Sequence, residues 1–235
     1  MIAYSLGLLV AVALSLTASI FGHAQPAQAR SSQTPAAQAP SNQKPSPEAQ
    51  SDEVLSRDAV LRDPAIPSAG NPDGDITIVE YFDFQCPYCR KTYSDLQKLV
   101  KEDPKLRLVY KDWPILGDVS VQAARLVQAA RFQGKFTQAH DALMNYKGRL
   151  TAANLEEILV NAGVDGKRLK VDLAANEAAI KDTLTRNNAQ AEAFGFFATP
   201  SFIIGTFRVP SVLELASFRQ AIKDARELQK KSGDK

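Results

Sequence analysis

Between Ile76 and Asp83 the chain runs almost without break through β-branched and aromatic residues, and Cys86-Pro87-Tyr88-Cys89 follows at once, opening an amphipathic helical pattern. This juxtaposition of a buried strand, a short turn and a helix constrains the fold more than any other feature. Both cysteines of the 235-residue chain lie in it, two residues apart. The first sulfur falls at a helix N-terminus, where unpaired N–H groups and the helix dipole stabilise an anion, so a thiolate is accessible near neutral pH. Pro87 suits the first helical turn, where its missing N–H would have no intrahelical partner anyway. The pattern points to dithiol redox chemistry. A purely structural staple is a poor alternative, because so short a closed loop removes little chain entropy.

Composition closes off other classes. A net charge of +2 with no long basic run argues against nucleic acid. Two cysteines alone do not complete a tetrahedral zinc site, which needs four ligands and could draw further only on His23 and His140, so neither a metal nor a cofactor is expected beyond the redox-active pair Cys86-Cys89. Ile2 to Phe21 is apolar and uncharged, and Ala27-Gln28-Ala29 offers a small-x-small cleavage site, with Gly22-His23-Ala24 as a second choice. Residues 1–29 therefore read as a secretory signal peptide. The missing n-region Lys or Arg and the length of the run leave a retained N-terminal membrane anchor as the alternative. Either places the remainder outside the cytoplasm, in the periplasm, soluble or tethered to the inner membrane. Residues 30–50, rich in Pro, Gln and Ala, cannot bury enough apolar surface to order themselves and read as a disordered linker.

Residues 51–70 read as a lead-in, with one short helix over Ser51 to Leu61 capped by Ser51 or Asp52, then a stretch broken by Pro64, Pro67, Gly70 and Pro72. Strands are expected at Ile76–Phe82 and Leu106–Tyr110, flanking a helix that ends before Pro104. From Val119 to Ala193 the period becomes helical, with segments near 119–132, 135–146, 152–162 and a broken 167–193. Strands return at Ser201–Ile204 and Phe207–Val209, before a last amphipathic helix built on Val212, Leu215, Phe218, Ile222 and Leu228. The order β-α-β, helical block, β-β-α predicts an α/β fold: one sheet with helices on both faces. Its core comprises 71–117 and 196–230, with a helical domain inserted at 118–195 and a tail at 231–235.

Over roughly residues 65–230 the chain resembles the DsbA-like thiol–disulfide oxidoreductases of the thioredoxin-fold superfamily. The resemblance rests on Gly70-Asn71-Pro72, Val79-Glu80-Tyr81-Phe82-Asp83-Phe84, Cys86-Pro87-Tyr88-Cys89, Asp112-Trp113-Pro114-Ile115-Leu116-Gly117 and Ala198-Thr199-Pro200-Ser201-Phe202. A lone CxxC is weak evidence. One with an acid six residues before it and a Thr-Pro-x-Phe about 110 residues after it is strong. The resemblance implies a thioredoxin-like core carrying an inserted helical domain.

Candidate roles follow. Cys86, at the exposed helix end, forms the mixed disulfide, and Cys89, one turn in, resolves or releases it. Pro87 and Tyr88 tune the potential between them. The best-known members of the family have His at the position of Tyr88, so this pair is expected to be less oxidising than theirs. Glu80, on a strand that reads as buried, should have a raised pKa and move protons to or from Cys89; a solvent-facing strand acid is the bland alternative. Lys111 is a weak candidate for its charge partner. The resemblance implies a cis Thr199–Pro200 bond facing the cysteines, leaving the Thr199 backbone free for an extended substrate; a trans proline before an edge strand is the alternative. Trp113, Pro114 and His140 read as structural. Phe194, Phe196 and Phe197 either line a client-gripping surface or pack in the core.

The leading function is an oxidase that donates its disulfide to unfolded or newly exported cysteine-containing proteins. It is expected to be monomeric and reoxidised by a membrane quinone-linked partner. A reductase or isomerase of the same chemistry, a non-catalytic peptide-binding chaperone, and a metal module using both sulfurs are the competitors.

Overall fold

The protein is described here by a computed structural model that covers residues 54–233. The apolar N-terminal run, its cleavage sites, the Pro/Gln-rich stretch and the proposed caps Ser51 and Asp52 lie outside the described residues. Among the described residues no helix is long and apolar enough to cross a membrane.

The centre is a sheet of five strands: β1 (Ser68–Gly70), β2 (Ile76–Phe82), β3 (Leu106–Asp112), β4 (Ser201–Ile204) and β5 (Phe207–Val209), in the order β1-β3-β2-β4-β5. β2 and β3 run parallel, and every other pair is antiparallel. A parallel neighbour needs a crossover, and α2 (Pro87–Glu102) supplies it. All seven residues of β2 and all seven of β3 are buried; β2 accordingly reads as a near-continuous apolar run, whereas β3 buries Arg107, Lys111 and Asp112 among its apolar residues.

Alternation along β2 divides the interior. Ile76, Ile78 and Phe82 face one cluster with Leu96 and Leu99 of α2, Phe202 of β4 and Phe218 of the C-terminal helix α8 (Leu215–Ser232). Val79 and Tyr81 face the other with Val60, Trp113, Phe196 and Ile203. Between β3 and β4 come α3 (Asp118–Ala130), a 3-10 turn (Arg131–Gln133), α4 (Phe136–Asn145), α5 (Leu155–Asn161), α6 (Gly166–Ala175) and α7 (Glu177–Ala193). The first cluster continues into this block through Ala123, Val127, Phe136, Leu143 and Leu159.

Several elements differ from expectation. Among the described residues the lead-in holds the helix α1, Arg57–Leu61, which Ser56 caps by accepting from the Ala59 N–H, and Val54 before that cap is also helical. Polar side chains of the later fold tie it down: Lys111 Nζ donates to the Ala59 carbonyl at 3.0 Å and Gln190 Nε2 to those of Val54 and Ala59. The Pro/Gly-broken stretch contains strand β1, which pairs Ser68 with Val109 and Gly70 with Arg107. Gly70 turns out of it at φ 75°, a conformation that favours glycine. β3 continues two residues beyond Tyr110, and α8 reaches Ser232, into the stretch expected to be a tail.

Candidate active site

The site forms where β2 hands over to α2. Cys86 is the N-cap of α2: its sulfur accepts from the Cys89 N–H at 3.4 Å, and its carbonyl accepts from the Arg90 N–H. Cys89, Thr92, Tyr93, Leu96 and Leu99 make the buried face of the helix, so its hydrophobic spacing turns Cys89 inward. The two cysteines are not joined in a disulfide in this structure.

Helix position alone suggests an exposed Cys86, yet it is only 3% exposed. The loop before β4 covers it. The Thr199–Pro200 bond is cis, as the resemblance implied, and the Thr199 carbonyl lies 3.2 Å from Cys86 Sγ. The dithiol and this loop therefore meet across 113 residues of chain.

The sulfurs are electrically unequal. A hydrogen bond from the Cys89 thiol, with further ones from Thr199 and the N–H groups of Cys89 and Tyr88, brings the Cys86 pKa down to about 6 against the opposing effect of burial. Burial, the bond to Cys86 and the charge of Glu80 push the Cys89 thiol well above the ordinary range. Cys86 is the thiolate and Cys89 the thiol.

Glu80 is fully buried, and neither carboxyl oxygen has a hydrogen-bond partner among the described residues. Burial first, and the Cys86 charge second, raise its pKa from 4.5 to about 8. The solvent-facing alternative is excluded. Lys111 is not its partner. β2–β3 register pairs Glu80 with Tyr110 and Tyr81 with Lys111, so the pleat sends Lys111 to the opposite face of the sheet, toward Ala59. Burial there lowers the Lys111 pKa to about 8.

Tyr88 is 58% exposed, standing clear of the pair it separates. His140 packs among Phe82, Phe84, Tyr93, Tyr110 and Phe136, and burial holds its pKa low. Trp113 closes β3, donating its backbone N–H to the Phe82 carbonyl and its Nε1–H to Asn188 Oδ1. The three phenylalanines divide: Phe196 is buried and Phe194 packs on Tyr81, whereas Phe197, two residues before Thr199, is 80% exposed.

Sequence reasoning assigned no role to Asp83, which is nearly as buried as Glu80 but saturated. Its Oδ1 accepts from the Gln85 N–H (2.8 Å) and the Ser120 hydroxyl (2.7 Å), and its Oδ2 from the Leu116 N–H (2.9 Å). The available signal was a second acid at the end of an otherwise apolar strand. Among the described residues no group of three His, Cys, Asp or Glu side chains is placed to hold a metal.

Comparison with known proteins bears on this geometry. A family model described as thioredoxin matches residues 63–224. A solved thioredoxin-like oxidoreductase from Silicibacter pomeroyi DSS-3 is 41% identical, covering 73% of this chain and 98% of that one at a TM-score of 0.70. A periplasmic thioredoxin-like protein from Salmonella enterica serovar Typhimurium is 26% identical, covering 72% and 94% at a TM-score of 0.61. Among curated proteins, the Na(+)/H(+) antiporter NhaA 1 of Salinispora arenicola is 28% identical over 159 residues, which is 66% of this chain and 24% of that protein. The chain thus spans about a quarter of the length of the curated relatives it matches.

Proposed function

We propose that this chain, which belongs to the thioredoxin family and is a thiol–disulfide oxidoreductase of DsbA-like architecture, works outside the cytoplasm as an oxidase, passing a Cys86–Cys89 disulfide to exported proteins. The observation that supports the direction is the seat of Cys86 as N-cap of α2, its sulfur accepting the Cys89 N–H, an environment that brings its pKa down to about 6. A dithiol whose first sulfur is a stabilised thiolate holds electrons readily, so its disulfide is the more oxidising form.

A client thiolate attacks Cys86 Sγ of the disulfide; the Cys86–Cys89 bond breaks and a client–Cys86 bond forms. Cys89 leaves as a thiolate, and its raised pKa makes it take a proton. Glu80, holding its proton to about pH 8, is the donor. A second client thiolate then attacks the client sulfur of the mixed disulfide and expels Cys86 as a thiolate. Two client thiols are oxidised and the enzyme pair is reduced. In the reverse direction Glu80 accepts the Cys89 proton. The Thr199 backbone beside Cys86 is the edge on which an extended client segment lies, with Pro87 and Tyr88 forming the near rim.

The apolar N-terminal run supports the location, as does likeness to a structure described as periplasmic. Reoxidation by a membrane quinone-linked partner and a monomeric state complete the reading.

The test is direct. Cys89→Ser, its Cys86 first converted to the mixed disulfide with glutathione by glutathione disulfide, should exchange glutathione for a reduced client thiol and accumulate as a client–Cys86 disulfide, and Cys86→Ser should abolish it. Equilibration with glutathione should place the potential between roughly −270 mV, typical of thioredoxin, and roughly −120 mV, typical of a strong oxidant. A value at or below the thioredoxin end overturns the oxidase direction and makes the enzyme a reductase.

A further inference from the structure

The rim beside the dithiol holds four large apolar side chains turned to solvent: Tyr88, Phe197, Ile115 (40% exposed) and Leu116 (48% exposed). Phe197 reaches the site through the Thr199 loop, which touches Cys86. Ile115 and Leu116 sit on the far flank, in the connection from β3 to α3, and hydrogen bonds hold that connection at both the N–H and the carbonyl of Leu116. Asp83 accepts the Leu116 N–H, and Gln85 Nε2 lies 3.4 Å from the Leu116 carbonyl and 3.2 Å from Ser120 Oγ. Gly117, at φ 105°, then lets the chain turn sharply into α3. Both side chains keep a large part of their surface in solvent.

We propose that Asp83 is a positioning residue that pins Ile115 and Leu116 outward as a lip, and that this lip grips apolar residues flanking the client cysteine. The proposal rests on Cys86 being the sulfur attacked: a chain segment whose cysteine reaches Cys86 must cross the rim, and the lip meets the residues on one side of that cysteine. The occupant is an extended peptide with an aliphatic or aromatic neighbour to its cysteine. The same carboxyl also holds the Gln85 N–H, so one side chain sets the spacing between lip and dithiol.

Asp83→Asn separates the two attachments. An asparagine whose Oδ1 keeps the Gln85 and Ser120 donors must place its amino group against the Leu116 N–H, replacing an acceptor with a donor. The assay is oxidation of two reduced dithiol peptides, one with leucines beside its cysteines and one with serines, with glutathione disulfide as terminal oxidant. For the leucine peptide D83N should raise KM roughly tenfold with kcat little changed, the loss expected for one hydrogen bond to a charged or buried group. Leu116→Ala should raise it similarly, and the double variant should add little, because both remove the same lip. For the serine peptide the variants should differ from wild type by less than about twofold.

Additive effects of D83N and L116A, a fall in kcat at unchanged KM, or equal losses on both peptides would show Asp83 acting through the cysteine turn and overturn the proposal. So would failure of the isosteric D83N to fold, which would make it a folding residue. Should wild type oxidise neither peptide, the oxidase reading itself falls. Should it oxidise both alike and the variants match it, only the lip is lost.

Discussion

Replacing Glu80 by Gln gives the sharpest test of the buried acid, because the variant differs from wild type mainly by its inability to ionise. Glu80 moves from 4.5 to about 8 on folding, with burial the leading cause. The folded carboxyl keeps a proton that the unfolded one has released between those pH values, so the unfolded state binds fewer protons and stability falls as pH rises through that window. At ~1.4 kcal/mol per pKa unit, the cost is near zero below pH 4.5 and about 3 kcal/mol at pH 7. It levels off near 5 kcal/mol above pH 9. The E80Q variant, with no proton to lose, is free of this cost. Any fixed penalty for burying the amide is the same at every pH and drops out of the slope.

Urea unfolding of the reduced proteins between pH 4.5 and 8.5 should therefore show E80Q gaining on wild type by about 3 kcal/mol from pH 4.5 to 7, a midpoint shift on the order of 1–2 M. Cys86 contributes with the opposite sign. Its folded pKa is lowered from 9.0 to about 6, so its stabilisation is complete above pH 9 and is lost as pH falls through 6. It is present in both proteins and largely cancels. In a Cys86→Ser background the Glu80 gap should shrink, because the thiolate is the second cause of the raised pKa, but it should persist, because burial is the first. A wild-type–E80Q difference that stays flat within about 0.5 kcal/mol from pH 5 to 8 would refute a proton-holding Glu80. It would also remove the donor from the proposed exchange.

The thiolate absorbance of reduced protein near 240 nm should titrate with a midpoint near pH 6, as the Cys86 environment requires, and the transition should vanish in Cys86→Ser; a midpoint near 9 would sink the asymmetry. Tyr88→His should make the pair more oxidising, because a protonated imidazole beside Cys86 favours the thiolate. Position 88 is more than half exposed, so the gain should be tens of millivolts, at about 30 mV per 1.4 kcal/mol, and an unchanged potential would remove Tyr88 from the tuning of the pair.

The parts of this site visible in the sequence are those whose chemistry is local. Ile76–Phe82 announces a strand buried on both faces, Pro87 fits the first turn, and the spacing Cys89, Tyr93, Leu96 fixes which sulfur turns inward. What stayed hidden depends on register or distant contacts. β1 has no hydrophobic alternation and exists because β3 offers it hydrogen bonds. Lys111 looked like a partner for Glu80 until the register placed it beside Tyr81, one position out of phase and hence across the sheet. The clearest case is the pair of acids three residues apart on one strand end, which sequence cannot distinguish. Asp83 meets donors from residues 85, 116 and 120 and is fixed by them; Glu80 meets none. An acid saturated with donors is fixed in place by them, whereas one denied both water and partners favours its protonated form. Donor count thus separates two similar carboxyls, and of Asp83's three donors only Ser120 comes from the inserted block. The helical insertion thus reaches the dithiol turn through Ser120, on the first turn of α3.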